Sequence, residues 1–111
     1  MNIKLLVPLL LAFVCGQVYA AEGSITISSP TKDAMFSIRD KVPIKYEAVL
    51  GPNGNHWHLN VDGHRVDILR ESKGTAVIDP LSAGKHHICL AENTASHVPT
   101  GIETCVDVSA Q

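Results

Sequence analysis

The chain contains 111 residues, of which 45% are hydrophobic, and its 9 Lys and Arg against 11 Asp and Glu give a net charge of −2 with neutral histidines. A chain of this length suits one domain with one modest core, which argues against a multidomain architecture. Because no basic face or arginine run is present, nucleic acid and anionic membrane are not expected as partners.

Residues 1–20 have the features of a secretory signal peptide. Lys4 precedes the apolar run Leu5–Val14, which is too short to span a membrane. Small residues stand at the minus-three and minus-one positions of a cleavage site after Ala20. We therefore predict that residues 21–111 form the mature domain, which is periplasmic or secreted and is not attached to a membrane after cleavage.

Cleavage after the signal peptide removes Cys15 and leaves Cys89 and Cys105 in an oxidising compartment. We predict a disulfide between them, which would contribute about 3 kcal/mol to stability by closing a short loop. In a reduced protein, the two thiolates would instead join His58 and His87 in a soft-ligand metal site. A lipoprotein would retain Cys15 as its lipidated residue, but bulky side chains precede it.

Apolar residues of the mature part alternate with a period of two between turn residues, and no long stretch has helical spacing. This pattern predicts an all-β domain. The many short strands, with Trp57 in one of the longer ones, indicate an immunoglobulin-like antiparallel β-sandwich of about seven strands. In chain order, the extended segments lie around Ile25–Ile27, Met35–Phe36, Val42–Leu50, His56–Val61, His64–Leu69, Thr75–Ile78, His86–Ala91 and Ile102–Val108.

The last two strands also predict their own register. A symmetric hairpin places Cys89 directly opposite Cys105, with both side chains on the outward face, and places His87 opposite Asp107. The disulfide is therefore expected inside one sheet, unlike the bridge between sheets in antibody domains.

Three histidines and one carboxylate form the main candidate site. If Trp57 is buried, His56 and His58 share the outward face of the same strand. The loop that carries His97 is expected at the same end of the sandwich, with Glu103 just below it. Neutral imidazoles with one carboxylate suit zinc or copper as divalent ions, so we predict a metal site at these four residues.

The other histidines have structural explanations. His64 and His87 form a looser secondary cluster at the opposite end, where His87 is also a cross-strand partner for Asp107. His86 faces inward near a corner and is expected to hydrogen-bond to backbone. The alternative for the main site is equally simple, since a His-Xaa-His pair on an outward sheet face is often only solvated.

Three segments resemble a family of small exported bacterial domains of unknown function. They are His56 to Asp62, Leu81 to Ile88 and Asn93 to Pro99, and they match a histidine-rich strand, a glycine-lysine-histidine corner and a histidine-xaa-proline loop. The chain departs from that pattern by carrying Trp57 where a third histidine often stands and Ser82-Ala83 where proline is usual. The resemblance implies an exported, sandwich-like domain without assigning an activity.

No nucleophile motif, paired carboxylates or phosphate-binding loop is present, so an enzyme is not expected. The histidine strand is loosely similar to that of copper-zinc superoxide dismutase, but the zinc loop and the remaining ligands are missing. We predict a binding module for a divalent transition metal. The alternative is a metal-independent domain that docks an envelope protein, with its histidines incidental or sensing pH.

Overall fold

The computed structural model describes residues 22–111, so the predicted signal peptide and its cleavage site lie outside the described residues. Within residues 22–111 no helix has the length and apolarity needed to cross a membrane. The strands are β1 (Ser24–Ser29), β2 (Ala34–Phe36), β3 (Val42–Val49), β4 (His56–Val61), β5 (His64–Leu69), β6 (Lys73–Ile78), β7 (Gly84–Asn93) and β8 (Pro99–Ala110).

The eight strands form two sheets, with the order β1-β3-β6 in one and β2-β8-β7-β4-β5 in the other. This arrangement confirms the all-β sandwich. It also confirms that the tryptophan strand and the last two strands share a sheet. Eight strands in residues 22–111 agree with the eight extended segments of the sequence, and the short segment Ala34–Phe36 pairs with β8 as a parallel edge strand.

The core lies between the two sheets and determines which residues of each strand face inward. Alternate residues of β3 are buried, and so are Trp57 and Leu59 of β4 and Ile88 and Leu90 of β7. Full burial of each large apolar side chain contributes about 1.5–3 kcal/mol, so this parity is strongly specified. The intervening residues of β4 and β7 must therefore point to the outer face of the five-stranded sheet.

The β7–β8 hairpin has the predicted register. Cys89 pairs with Cys105, His87 with Asp107, and a register shift follows only beyond Ala91. The disulfide is formed between Cys89 and Cys105, whose Cα atoms are 4.1 Å apart. It therefore links neighbouring strands of one sheet, as expected from the sequence.

Candidate metal centre

His56 begins β4 on the outer face of the sheet, yet its side chain is completely buried, with 0% relative exposure. His58 is half-buried. The expectation of a solvated surface histidine is therefore wrong for His56. The loop between β7 and β8 folds over this end of β4 and places the ring of His97 4.7 Å from that of His56.

The conformation of the β7–β8 loop aims His97 at the strand. The N–H of Thr94 donates to the carbonyl of Val98 at 2.8 Å, and the N–H of His97 donates to the carbonyl of Thr94 at 2.9 Å. His97 itself has a φ of 65°, in the left-handed region that residues other than glycine seldom adopt. A tight, hydrogen-bonded turn thus holds the third histidine.

Three imidazole nitrogens meet at one point. The Nε2 atoms of His56 and His58 are 2.9 Å apart, and Nδ1 of His97 lies 3.0 Å from the first and 3.2 Å from the second. Ligands about 2.0–2.1 Å from a metal ion stand about 2.9 Å apart at right angles and about 3.3 Å apart in a tetrahedron. The spacing of the three nitrogens fits ligation of one ion.

The hydrogen bond to Asn55 sets the tautomer of His56. Nδ1 of His56 donates to Oδ1 of Asn55 at 2.9 Å, which leaves the Nε2 lone pair directed at the other two rings. Burial, and then the neighbouring His97, lower the pKa of His56, and burial likewise lowers the pKa of His58. Both rings are therefore held in the neutral form that a metal ion requires.

Glu103 does not join this group. The residues of the described chain that come together here are His56, His58 and His97 only. Glu103 lies opposite Ala91 on β7, and its Oε1 is instead 3.5 Å from Sγ of Cys105. The structure therefore gives no support to Glu103 as the fourth ligand at the histidine end.

The strand pairing separates His64 from His87, the two residues of the predicted secondary cluster. His64 pairs with Val61, which pairs in turn with Ile88 on the inner side of β7. The next residue, His87, points to the outer face by the alternation of the strand. His64 and His87 are thus on opposite faces, and His87 groups with the two cysteines instead.

Sequence reasoning missed a buried carboxylate that connects the loop between β3 and β4 to the start of β8. Glu92 is 1% exposed, and its Oε2 accepts a hydrogen bond from the N–H of Gly51 at 2.8 Å while Oε1 accepts one from the hydroxyl of Thr100 at 2.9 Å. A Cβ at Gly54 would lie 2.5 Å from the carboxylate carbon. No sequence motif distinguishes Glu92 from the other acidic residues, and only its contacts in the structure identify it.

Removal of this carboxylate should loosen the loop between β3 and β4 and its contact with the start of β8. We expect Glu92→Ala to lower the free energy of unfolding by about 2 kcal/mol, because the buried N–H of Gly51 loses its acceptor. Urea unfolding of the metal-free protein measures the loss. Glu92→Gln retains the shape and one acceptor and should lose less, so equal losses for the two variants would contradict this role.

At the other end of the sheet, Asp62 and His86 clamp the β4–β5 turn onto β7. Nδ1 of His86 donates to Asp62 at 2.6 Å, and its Nε2 donates to the carbonyl of Ser82 at 2.7 Å. The predicted hydrogen bond of His86 to backbone is thus confirmed. The bond to Asp62, followed by that to Ser82, raises the pKa of His86. Oγ of Ser82 is also 3.3 Å from Nε2 of His86. Both ring nitrogens of His86 already donate, so the ring has no lone pair that could accept a hydrogen bond from the Ser82 hydroxyl.

This clamp should give the stability a defined pH dependence. His86 has a raised pKa and Asp62 a lowered one, so the pair contributes fully between their ordinary values of 3.8 and 6.5. Its contribution is lost as the pH rises through the pKa of His86 or falls through that of Asp62.

We expect Asp62→Asn to reduce the free energy of unfolding by about 0.5–1 kcal/mol inside that window and by less at higher pH. Asparagine tolerates the φ of 51° at this turn. The free energy of unfolding in urea is measured for metal-free wild type and variant at each pH. The lowered pKa values of His56 and His58 give both proteins the same opposite pH dependence, which the difference between them removes. A difference that stays constant with pH would contradict the prediction.

No protein-family model and no curated protein matches the chain. Among solved structures, the chain is similar to the fibronectin(III)-like modules of Clostridium thermocellum CbhA, with a TM-score of 0.65 and 14% identity over 78% of this chain and 96% of that one. A lytic polysaccharide monooxygenase of Jonesia denitrificans matches with a TM-score of 0.49 and 19% identity over 74% of this chain and 58% of that one. The first likeness shows the fold, a fibronectin III-like β-sandwich.

Proposed function

We propose that this domain is an exported binding module for a divalent transition metal, held by His56, His58 and His97. The observation that supports it is the mutual approach of three ring nitrogens within 3.2 Å. If a single proton lies between these three nitrogens, at least two lone pairs still face each other and repel. A single metal cation accepts the lone pairs of all three. The disulfide between Cys89 and Cys105 is consistent with export to an oxidising compartment.

The donor set selects among metals. Imidazole nitrogen suits Zn²⁺ and Cu²⁺, whereas Ca²⁺ and Mg²⁺ prefer oxygen ligands. Cu⁺ favours thioether and thiolate ligands, whereas the group of His56, His58 and His97 contains only imidazoles. We therefore assign the site to Zn²⁺ or Cu²⁺.

Titration of metal-free protein with Zn²⁺ or Cu²⁺ by calorimetry tests the proposal. We expect one ion per chain with a dissociation constant of about 1 μM or tighter. A free metal concentration one hundred times that constant should add about 2.7 kcal/mol to the free energy of unfolding. Binding no tighter than millimolar would contradict the proposal and favour a metal-independent interaction domain.

A further inference from the structure

A second group of donor atoms lies on the outer face of the β7–β8 hairpin. A ring nitrogen of His87 and the sulfurs of Cys89 and Cys105 all lie within 4.8 Å of one another. The carboxylate of Glu103 is 3.5 Å from the second sulfur. None of these residues belongs to the group of His56, His58 and His97. In the structure the two sulfurs are bonded to each other in the disulfide.

We propose that reduction of the disulfide converts this group into a second metal site, in which Cys89, Cys105 and His87 bind a thiophilic divalent ion such as Zn²⁺. Two thiolates and one imidazole are ligands that zinc takes in tetrahedral sites. This site is independent of the proposed function of the histidine end.

The hairpin keeps the donors together after the sulfur–sulfur bond breaks. Cys89 and Cys105 remain directly opposite in the ladder, and His87 and Glu103 each stand two residues away on the same face. Thiolates about 2.3 Å from a tetrahedral ion are about 3.8 Å apart, a separation that side chains of directly opposite residues reach without moving the strands.

Asp107 would orient the imidazole ligand. Its Oδ1 accepts a hydrogen bond from Nδ1 of His87 at 2.5 Å, which leaves Nε2 of His87 with a free lone pair. A carboxylate that accepts the second N–H of a ligating histidine is a common feature of zinc sites. His87 and Cys105 are exposed and Cys89 is buried, so a reductant and an ion reach the group from the side of His87 and Cys105.

The chemistry is a two-electron reduction followed by ligation. A dithiol or phosphine reductant supplies two electrons, two protons are taken up, and the sulfur–sulfur bond gives two thiols. The incoming divalent ion then displaces both thiol protons and binds the thiolates. Thiol–disulfide exchange with a small-molecule disulfide, which is itself reduced to two thiols, takes two electrons from the thiolates, re-forms the Cys89–Cys105 bond and releases the ion, so the redox state controls occupancy.

Titration with Co²⁺ under anaerobic conditions tests this proposal, because only thiolate ligands give sulfur-to-cobalt charge-transfer absorption. The background variant is His97→Ala, which impairs the histidine centre. We expect the phosphine-reduced protein to develop this absorption with one Co²⁺ per chain, and the oxidised protein to show none. His87→Ala in the same background should weaken binding about a hundredfold, whereas His64→Ala should leave it unchanged.

Several results would overturn the proposal. These are the absence of the charge-transfer absorption in reduced protein that retains its native circular dichroism, an affinity unchanged by His87→Ala, or unfolding on reduction. Because nitrogen ligands do not produce this absorption, failure here is distinguishable from failure of metal binding at His56 and His58.

Discussion

Replacement of His56 by alanine is expected to weaken binding of Zn²⁺ or Cu²⁺ by about a hundredfold or more, the largest effect of any single substitution at the histidine end. His56 is the buried member of the group, and its Nε2 is 2.9 Å from His58 and 3.0 Å from His97. Asn55 already fixes its orientation, so ligation costs this ring little conformational entropy. Competition calorimetry against a chelator of known affinity measures the loss.

His64→Ala is the matched control for that substitution. His64 is an exposed histidine on the neighbouring strand and is not part of the three-residue group. Its removal should leave the affinity within twofold of wild type, about the scatter of such measurements. Equal losses for His56→Ala and His64→Ala would show that the metal binds histidines without the specific geometry of the group.

Loss of the disulfide is expected to lower the free energy of unfolding by about 3 kcal/mol, because the loop between Cys89 and Cys105 is then no longer closed in the unfolded chain. Replacement of both cysteines by serine avoids leaving one thiol unpaired. Urea unfolding of this double variant and of oxidised wild type at the same pH gives the difference.

The double variant should nevertheless remain folded, since domains commonly have a free energy of unfolding of about 5–15 kcal/mol. Neither cysteine belongs to the packed cluster of core residues, although Cys89 is buried. Circular dichroism should therefore be unchanged in the absence of urea. A variant that is unfolded under native conditions would contradict both this expectation and the reduced site proposed on the β7–β8 hairpin.

The fold could be predicted from local patterns because strand parity depends on the sequence alone. Alternating burial places Trp57 inward, and the equal arms of the last hairpin place Cys89 opposite Cys105. The predicted approach of His97 to His56 and His58 also followed from the rule that these loops share one end of a sandwich.

Other features depended on contacts between segments distant in sequence. The burial of His56 results from the loop that folds over it, and the position of the Glu103 carboxylate beside Cys105 rather than the histidines is a matter of side-chain conformation that periodicity does not specify. The burial of Glu92 against Gly51 and Thr100 is likewise set by packing of the loop between β3 and β4 against β7 and β8. The sequence by itself therefore determined that Trp57 faces inward and that the last hairpin pairs Cys89 with Cys105, because these depend on period and register. Only the tertiary structure decided the contacts of Glu92 and Glu103, because packing brings together residues as distant in sequence as Gly51 and Glu92, which are 41 positions apart.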